Sequence, residues 1–132
     1  MKDDRAFLIE RRLEQAQVAL DDAKFLLDGK RSAQSVINRA YYAMFYAAHA
    51  LLQKIGKAAS KHAGVIGLFD TEFAVKGILP RELSKDFHKA FELRQASDYK
   101  ASESFSLDQA KETYERASRF VGEVRLYLLP LG

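Results

Sequence analysis

The sequence predicts an all-α fold, an up-and-down bundle of four long helices with a short connecting helix. Apolar residues recur at intervals of three and four over long stretches, which is the period of an amphipathic helix. Only two prolines and seven glycines occur in 132 residues, so few positions would break a helix. No stretch of useful length alternates apolar and polar residues, and we therefore expect no β-sheet.

The first helix is predicted over about residues 4–28. Asp3 and Asp4 would complement the positive end of the helix dipole at its start, and Gly29 is expected to form its C-terminal cap. One narrow apolar stripe would bury it against the bundle: Ile9, Leu13, Ala16, Leu20, Ala23 and Leu27.

The second helix is predicted from Ser32, its N-cap, to Gly56. Two adjacent apolar stripes mark it as a central helix that neighbours cover on both sides. The stripes are Ile37, Tyr41, Met44, Ala48, Leu51 and Ile55, and beside them Val36, Ala40, Ala43, Ala47 and Ala50. A further face groups polar and aromatic residues: Arg39, Tyr42, Tyr46 and His49.

The middle of the chain, residues 56–80, is less regular. A basic loop containing Lys57, Lys61 and His62 comes first. One or two short helices that cover the core are then predicted from five apolar residues: Val65, Ile66, Phe69, Phe73 and Val75.

Two more long helices are predicted, one over about residues 80–99 and one from the N-cap Ser106 to Pro130, joined by a short polar connection over residues 101–105. The apolar stripe of the former is Leu83, Phe87, Ala90 and Phe91. That of the latter is Leu107, Ala110, Tyr114, Ala117, Val121, Val124 and Leu128.

Composition limits the class of protein. A chain of 132 residues that is 48% hydrophobic and 30% charged suits one globular domain over residues 1–132. The absence of cysteine excludes disulfides, thiolate metal sites and a cysteine nucleophile. The net charge of +3 is compatible with nucleic-acid binding without being diagnostic of it.

Neither a secretory signal nor a membrane span is expected. The first residues lead directly into an amphipathic pattern, and the longest uncharged apolar stretch, residues 40–52, is shorter than the ~20 residues that a bilayer requires. We therefore expect a cytoplasmic protein. The three histidines show neither His-x3-His nor Glu-x-x-His spacing, and no Gly-rich phosphate loop occurs, so we expect neither a metal nor a cofactor.

The most informative residues are Arg94 and Asp98, which continue the apolar stripe of the fourth long segment. A full charge that faces a core costs several kcal/mol unless it is paired and hydrogen-bonded. Either these residues satisfy each other inside the bundle, or they line a cleft or a subunit interface. An ordinary exposed i,i+4 ion pair is the alternative.

Three segments together resemble the HEPN domain, the nucleotide-binding family of higher eukaryotes and prokaryotes. They are SVINRAYYAMFYAA (35–48), SKHAGVI (60–66) and ELRQASDY (92–99). The resemblance covers nearly the whole chain and is strongest for the stand-alone bacterial and archaeal branch, whose members end this helix in Arg-x3-Asp-Tyr. It implies a helical bundle, a homodimer, and a minimal nucleotidyltransferase as partner in a toxin–antitoxin-like pair.

Many HEPN proteins are metal-independent endoribonucleases that pair an Arg with a His slightly further along the chain, two such motifs meeting across the dimer. Arg94 corresponds to that arginine. The histidine would fall at Tyr99, Lys100 or Ala101, and the chain has no histidine after His88. Cleavage through the RNA 2′-hydroxyl needs a group that titrates near pH 7, and tyrosine, with a pKa near 10, is a poor substitute.

Three hypotheses follow. The leading one is a subunit with little or no catalysis that binds nucleotide, RNA or its partner through Arg94, Asp98 and Tyr99. The rival is an endoribonuclease toxin that uses Arg94 with Tyr99 or His62. The third is a purely structural interaction module.

Other residues extend the leading hypothesis. Arg39 and Tyr42 would add an aromatic, basic surface that stacks bases and holds phosphate, or alternatively a core network of tyrosine hydroxyls. Lys61 and His62 would contribute the basic loop. In related pairs the transferase can attach a nucleotide to a tyrosine beside the motif, which makes Tyr99 a candidate acceptor.

Overall fold

Helices make up most of the computed structural model, which describes residues 2–99 and 105–130. They are α1 (Lys2–Asp28), α2 (Ala33–Ile55), α3 (His62–Phe69), α4 (Arg81–Tyr99) and α5 (Leu107–Leu128). A π-helical turn, Asp70–Ala74, continues α3. Within the described ranges there is no strand, which confirms the predicted all-α bundle of four long helices and a short connecting element. Of the predicted connection over residues 101–105, all but Phe105 lies outside the described residues.

The central position predicted for α2 is confirmed, because this helix packs against α1, α3, α4 and α5. Both predicted apolar stripes are buried except at the C-terminal end, where Ile55 is exposed. Ser32 caps the helix by accepting a hydrogen bond from the Ser35 backbone N–H, and Gly56 ends it with a left-handed φ of 72°. The buried alanines of α2 are small enough for neighbouring helices to approach it closely. They are Ala40, Ala43, Ala47, Ala48 and Ala50.

The stripe predicted for α1 is buried, with Leu27 only partly covered. Gly29 directly follows the last residue of α1, as predicted, but it is not the left-handed residue of the cap. The left-handed residue after α1 is Lys30, whose φ is 52°. Its N–H donates to Leu27 O and the next N–H, of Arg31, to Leu26 O, so the chain turns one residue later than the glycine suggested.

Helix α5 begins with a capping box in which Ser106 and Gln109 exchange hydrogen bonds between side chain and backbone. The predicted stripe is correct except at Leu107, which is exposed. Phe120 and Thr113 are buried although the stripe did not include them. They fill the space beside the stripe because α5 faces both α2 and α4.

The core is aromatic where α3, α4 and α5 meet. The Phe87 ring centroid lies 5.2 Å from that of Phe120 and 5.8 Å from that of Phe69. Asp70, in the π-helical turn, joins this region to α4, because it accepts from Ser84 Oγ at 2.5 Å and lies 2.6 Å from His88 Nε2. The short helix after α2 is thereby held in a fixed position relative to α4.

One prediction for the middle of the chain needs correction. His62 is the first residue of α3 rather than part of the preceding basic loop. Of the other two basic residues, Lys61 is exposed at the N-cap, and Lys57 pairs with Glu72 at 3.1 Å. No helix among the described residues is long and apolar enough to cross a membrane.

Candidate functional site

Arg94 lies near the C-terminal end of α4 with its side chain 21% exposed. Its Cζ is 5.6 Å from the Tyr41 ring centroid and 5.4 Å from that of Tyr42, both on α2. Such distances are in the range of cation–π attraction, so the aromatic surface of α2 supports the guanidinium. The predicted inward orientation of Arg94 is therefore confirmed.

Asp98 does not share that burial. Its side chain is 39% exposed, so the prediction that it faces inward is wrong. Its Oδ2 lies 3.2 Å from Arg94 Nε, but Nε is buried and has no aligned hydrogen bond. A guanidinium has five N–H donors, and among the described residues Arg94 has no ion-pair partner besides Asp98.

Arg39 approaches the same aromatic cluster from α2. Its Cζ lies 5.1 Å from the Tyr42 ring centroid, and its Nε and Nη2 donate to Asn38 Oδ1 at 3.1 and 2.8 Å. Arg39 has no carboxylate partner within the described part of the chain. Tyr42 is thus contacted by two guanidinium groups, of which Arg94 is paired with the carboxylate of Asp98.

His62 completes the cluster from the start of α3. Its ring stacks on Phe45 with centroids 4.3 Å apart and on Tyr41 at 5.7 Å. Its Nδ1 is hydrogen-bonded to the Tyr41 hydroxyl at 2.7 Å. The fold therefore brings a histidine to the rings that support Arg94, although it is distant in sequence from that arginine.

Burial and positive charge set the protonation of this cluster. Burial, and then the charge of Arg94, lower the pKa of His62 below its ordinary value. Burial raises the pKa of Tyr41, against the opposing effect of Arg94. At neutral pH the histidine is therefore neutral and the tyrosine keeps its proton.

An open groove of about 580 Å³ lies beside the cluster, between the start of α2 and the end of α4. Gln34 Nε2 donates to Ser97 O at 2.8 Å and joins the two helices there. The groove is lined by Leu26, Ser32, Gln34, Ser35, Asn38, Arg39, Ser97 and Asp98. It has room for a small ligand such as a nucleotide.

The structure thus brings together five of the residues predicted to form the site. These are Arg39, Tyr42, His62, Arg94 and Asp98. Lys61, which directly precedes His62 in the chain, is exposed. Tyr99 is the last residue of α4, and its side chain lies outside the described part.

Sequence reasoning assigned Tyr41 only to the core stripe and missed its contacts with the candidate site. Its ring is fully buried, yet its hydroxyl reaches His62, and its face supports Arg94. A tyrosine on a stripe otherwise made of aliphatic residues was the available signal, because a buried hydroxyl requires a hydrogen-bond partner.

The described residues include no group of three or more His, Asp or Glu side chains placed to hold a metal ion. What the cluster offers is a pair of guanidiniums, a neutral imidazole and stacked rings. Guanidinium groups suit the oxygens of a phosphate.

Comparison with known proteins gives one consistent family. A family model described as HEPN domain matches residues 9–127. A UPF0332 protein of Thermotoga maritima is 38% identical over 117 residues, 89% of this chain and 88% of that protein. A Methanocaldococcus jannaschii protein named "putative toxin" is 32% identical over 117 residues, 89% of this chain and 86% of that protein. A UPF0332 protein of Gloeobacter violaceus is 34% identical over 110 residues, 83% and 86% of the two chains.

Proposed function

The chain belongs to the HEPN domain family, and on that premise we propose that it is a phosphate-recognising subunit that binds nucleotide or RNA in a toxin–antitoxin-like pair. Arg94 is the centre of its binding surface. A minimal nucleotidyltransferase is its partner, and it acts as a homodimer with little or no catalysis of its own.

The observation that carries the proposal is the support of two guanidiniums by one tyrosine ring. Arg94 and Arg39 lie 5.4 and 5.1 Å from the Tyr42 centroid, and among the described residues Arg94 pairs with Asp98 whereas Arg39 has no carboxylate partner. Two positive charges around one ring raise the local positive potential, which favours binding of an anion. A phosphate ester satisfies their planar donors, and the neighbouring groove accommodates the attached nucleoside.

Family membership and the names of relatives support the toxin-like part of the proposal. Two Methanocaldococcus jannaschii relatives are named "putative toxin". The transferase partner and the homodimer come from the family resemblance. Light scattering of the purified chain tests the dimer, and co-purification with a tagged nucleotidyltransferase from the neighbouring gene tests the partner. A monomer that binds no transferase would contradict both.

Binding is tested by fluorescence anisotropy with a labelled 12-nucleotide single-stranded RNA, comparing the unmodified protein with Arg94→Ala. Loss of a charge-assisted contact to phosphate is expected to weaken binding about 10- to 100-fold. Arg81→Ala is the matched control, since it removes an exposed arginine from the opposite end of the same helix. Equal losses in the two variants would indicate a general charge effect and would contradict the proposal.

A metal-independent endoribonuclease is the second candidate function. It is favoured by one observation, the position of His62 beside the rings that hold Arg94. The purified protein is incubated with RNA in EDTA, and cleavage that disappears in Arg94→Ala would establish this candidate over the binding subunit.

Modification of Tyr99 is a further part of the proposed partnership, because this residue directly follows Asp98 at the end of α4. The transferase would take a nucleoside triphosphate as donor: the tyrosine hydroxyl oxygen bonds to the α-phosphorus, the bond to the β-phosphate breaks and releases pyrophosphate, and the hydroxyl proton passes to solvent. Mass spectrometry after co-expression is expected to find the added mass on the peptide that contains Tyr99. An unmodified peptide would remove Tyr99 as an acceptor, and Tyr99→Phe is the control for the position.

A further inference from the structure

The contact between Tyr41 and His62 determines which nitrogen of the imidazole holds the proton. Tyr41 is fully buried, and its hydroxyl lies 2.7 Å from His62 Nδ1. This is the only hydrogen-bond partner of that hydroxyl among the described residues. A buried O–H group that fails to donate is costly, so the hydroxyl must donate to Nδ1.

A neutral histidine accepts through one nitrogen and donates through the other. If Nδ1 accepts from Tyr41, the proton of the neutral ring is on Nε2. The opposite tautomer would point an N–H at the hydroxyl oxygen and leave the tyrosine proton without an acceptor. The geometry therefore selects one of the two neutral forms.

The Nε2 atom is available to a ligand. It has no hydrogen bond within the described part of the chain, and it is not among the enclosed polar atoms that lack a partner, which are Gln53 Oε1, Arg94 Nε and Arg125 Nη1. His62 and Arg94 both contact the rings of Tyr41 and Tyr42, so the two side chains belong to the same aromatic cluster.

We propose that Tyr41 fixes His62 as an Nε2–H donor, which joins the Arg94 guanidinium in binding the oxygens of one phosphate group. The inference rests on the proposed function and deepens it, since it gives the site a neutral donor beside a charged one. Tyr41 is a positioning residue that acts through His62.

This assignment separates a binding site from a nuclease site. A general base must present a lone pair to the proton that it removes. With Nδ1 occupied by Tyr41 and Nε2 protonated, neutral His62 presents none to the ligand. The histidine closest to Arg94 therefore binds phosphate rather than activating the RNA 2′-hydroxyl.

The tautomer is measured directly on the free protein by long-range ¹H–¹⁵N correlation NMR at pH 7.5, with the His62 signals assigned from their loss in His62→Gln. The Nε2–H pattern is expected. In Tyr41→Phe, which removes only the hydroxyl, the two tautomers are expected to mix. An Nδ1–H pattern in the unmodified protein, or an unchanged pattern in Tyr41→Phe, would overturn the role of Tyr41.

The donor role is tested with two probes, inorganic phosphate and the 12-nucleotide RNA. His62→Gln replaces the imidazole with an amide whose N–H reaches a similar position, whereas His62→Phe keeps the stacking and removes the donor. We expect Gln to retain RNA affinity within about three-fold and Phe to lose about ten-fold or more. Equal affinity of the Phe variant and the unmodified protein would overturn the inference.

The failures of the two proposals are distinguishable. RNA binding that depends on Arg94 without any change in the His62 Nε2 signal would refute the donor role and leave the proposed function in place. Absence of RNA binding altogether would refute the proposed function. If, in addition, the His62 Nε2 chemical shift stayed unchanged on titration with inorganic phosphate, the donor role would be refuted as well. Tautomer selection by Tyr41 is decided in either case by the measurement on the free protein.

Discussion

Arg94 and Asp98 form an ion pair one helical turn apart in which the two partners have different environments. The arginine side chain is 21% exposed and lies over two tyrosine rings, whereas the aspartate is 39% exposed, with its Oδ2 3.2 Å from Arg94 Nε. The carboxylate contacts Nε and leaves the terminal guanidinium nitrogens to other partners. Asp98 thus behaves as an internal competitor for an anionic ligand of Arg94.

Asp98→Asn is expected to strengthen RNA binding. Removal of the competing charge frees Arg94, and because a partly exposed ion pair is worth at most about 1 kcal/mol, the gain in affinity should be no more than about five-fold. Fluorescence anisotropy with the 12-nucleotide RNA measures it. Glu92→Gln makes the same charge change at an exposed position of α4 and should have a smaller effect. Weaker binding in Asp98→Asn would mean that Asp98 contacts the ligand itself.

Stability should decrease as the pH falls through the range just below 6.5. Burial and the charge of Arg94 lower the pKa of His62, and burial, Arg12 and His62 lower that of His49. Between the lowered pKa of the folded state and the ordinary value of about 6.5, the unfolded chain binds more protons, so stability rises with pH. Urea denaturation at pH 7.5 and 5.5 is expected to show this loss.

The variants His62→Gln and His49→Gln test the origin of that pH dependence. Each removes one group that titrates in this range, so each should reduce the difference in unfolding free energy between the two pH values, and the double variant should reduce it further. A difference that stays as large in the double variant would place the effect on other groups.

Helix periodicity predicted the fold because burial follows the 3.6-residue repeat on long, regular segments such as α2 and α5. It identified the face of Arg94 for the same reason. It failed at Asp98 because a helix stripe drifts around the axis, and four residues beyond Arg94 the side chain has left the protected surface between α2 and α4. The glycine at position 29 did not locate the left-handed residue after α1 either, because that conformation is adopted by Lys30.

The contacts within the candidate site could not be predicted from local spacing, because they join residues on different helices. Tyr41 and His62 are 21 residues apart and meet only once α3 packs on α2. No local spacing encodes that contact. The sequence placed His62 in a basic loop, and what it lacked was the direction in which the chain turns after Gly56.

The aromatic core that supports this arrangement should be sensitive to truncation. Phe87 is fully buried, with its ring centroid 6.0 Å from that of Tyr41 and 5.2 Å from that of Phe120. Phe87→Ala is expected to lower the free energy of unfolding by about 3–5 kcal/mol. Phe25→Ala is the control, because that side chain is 78% exposed and its loss should change stability by no more than about 0.5 kcal/mol. Comparable losses in urea denaturation would contradict the packing described.

One buried carboxylate on α4, that of Asp86, contacts two arginines on α5. Asp86 is 6% exposed, accepts a hydrogen bond from Arg119 Nη2 and lies 3.7 Å from Arg116 Nε. Because the Asp86 oxygens are removed from water, Asp86→Ala should lower the free energy of unfolding by about 1–3 kcal/mol, by removing a buried charge-assisted hydrogen bond while Arg116 keeps Glu112 and Arg119 keeps Glu82. A double-mutant cycle with Arg119→Ala is expected to give a coupling of about 0.5–3 kcal/mol. Glu10→Ala, an exposed carboxylate on α1, should be nearly neutral. Additive losses in the cycle would show that the two side chains stabilise the bundle independently.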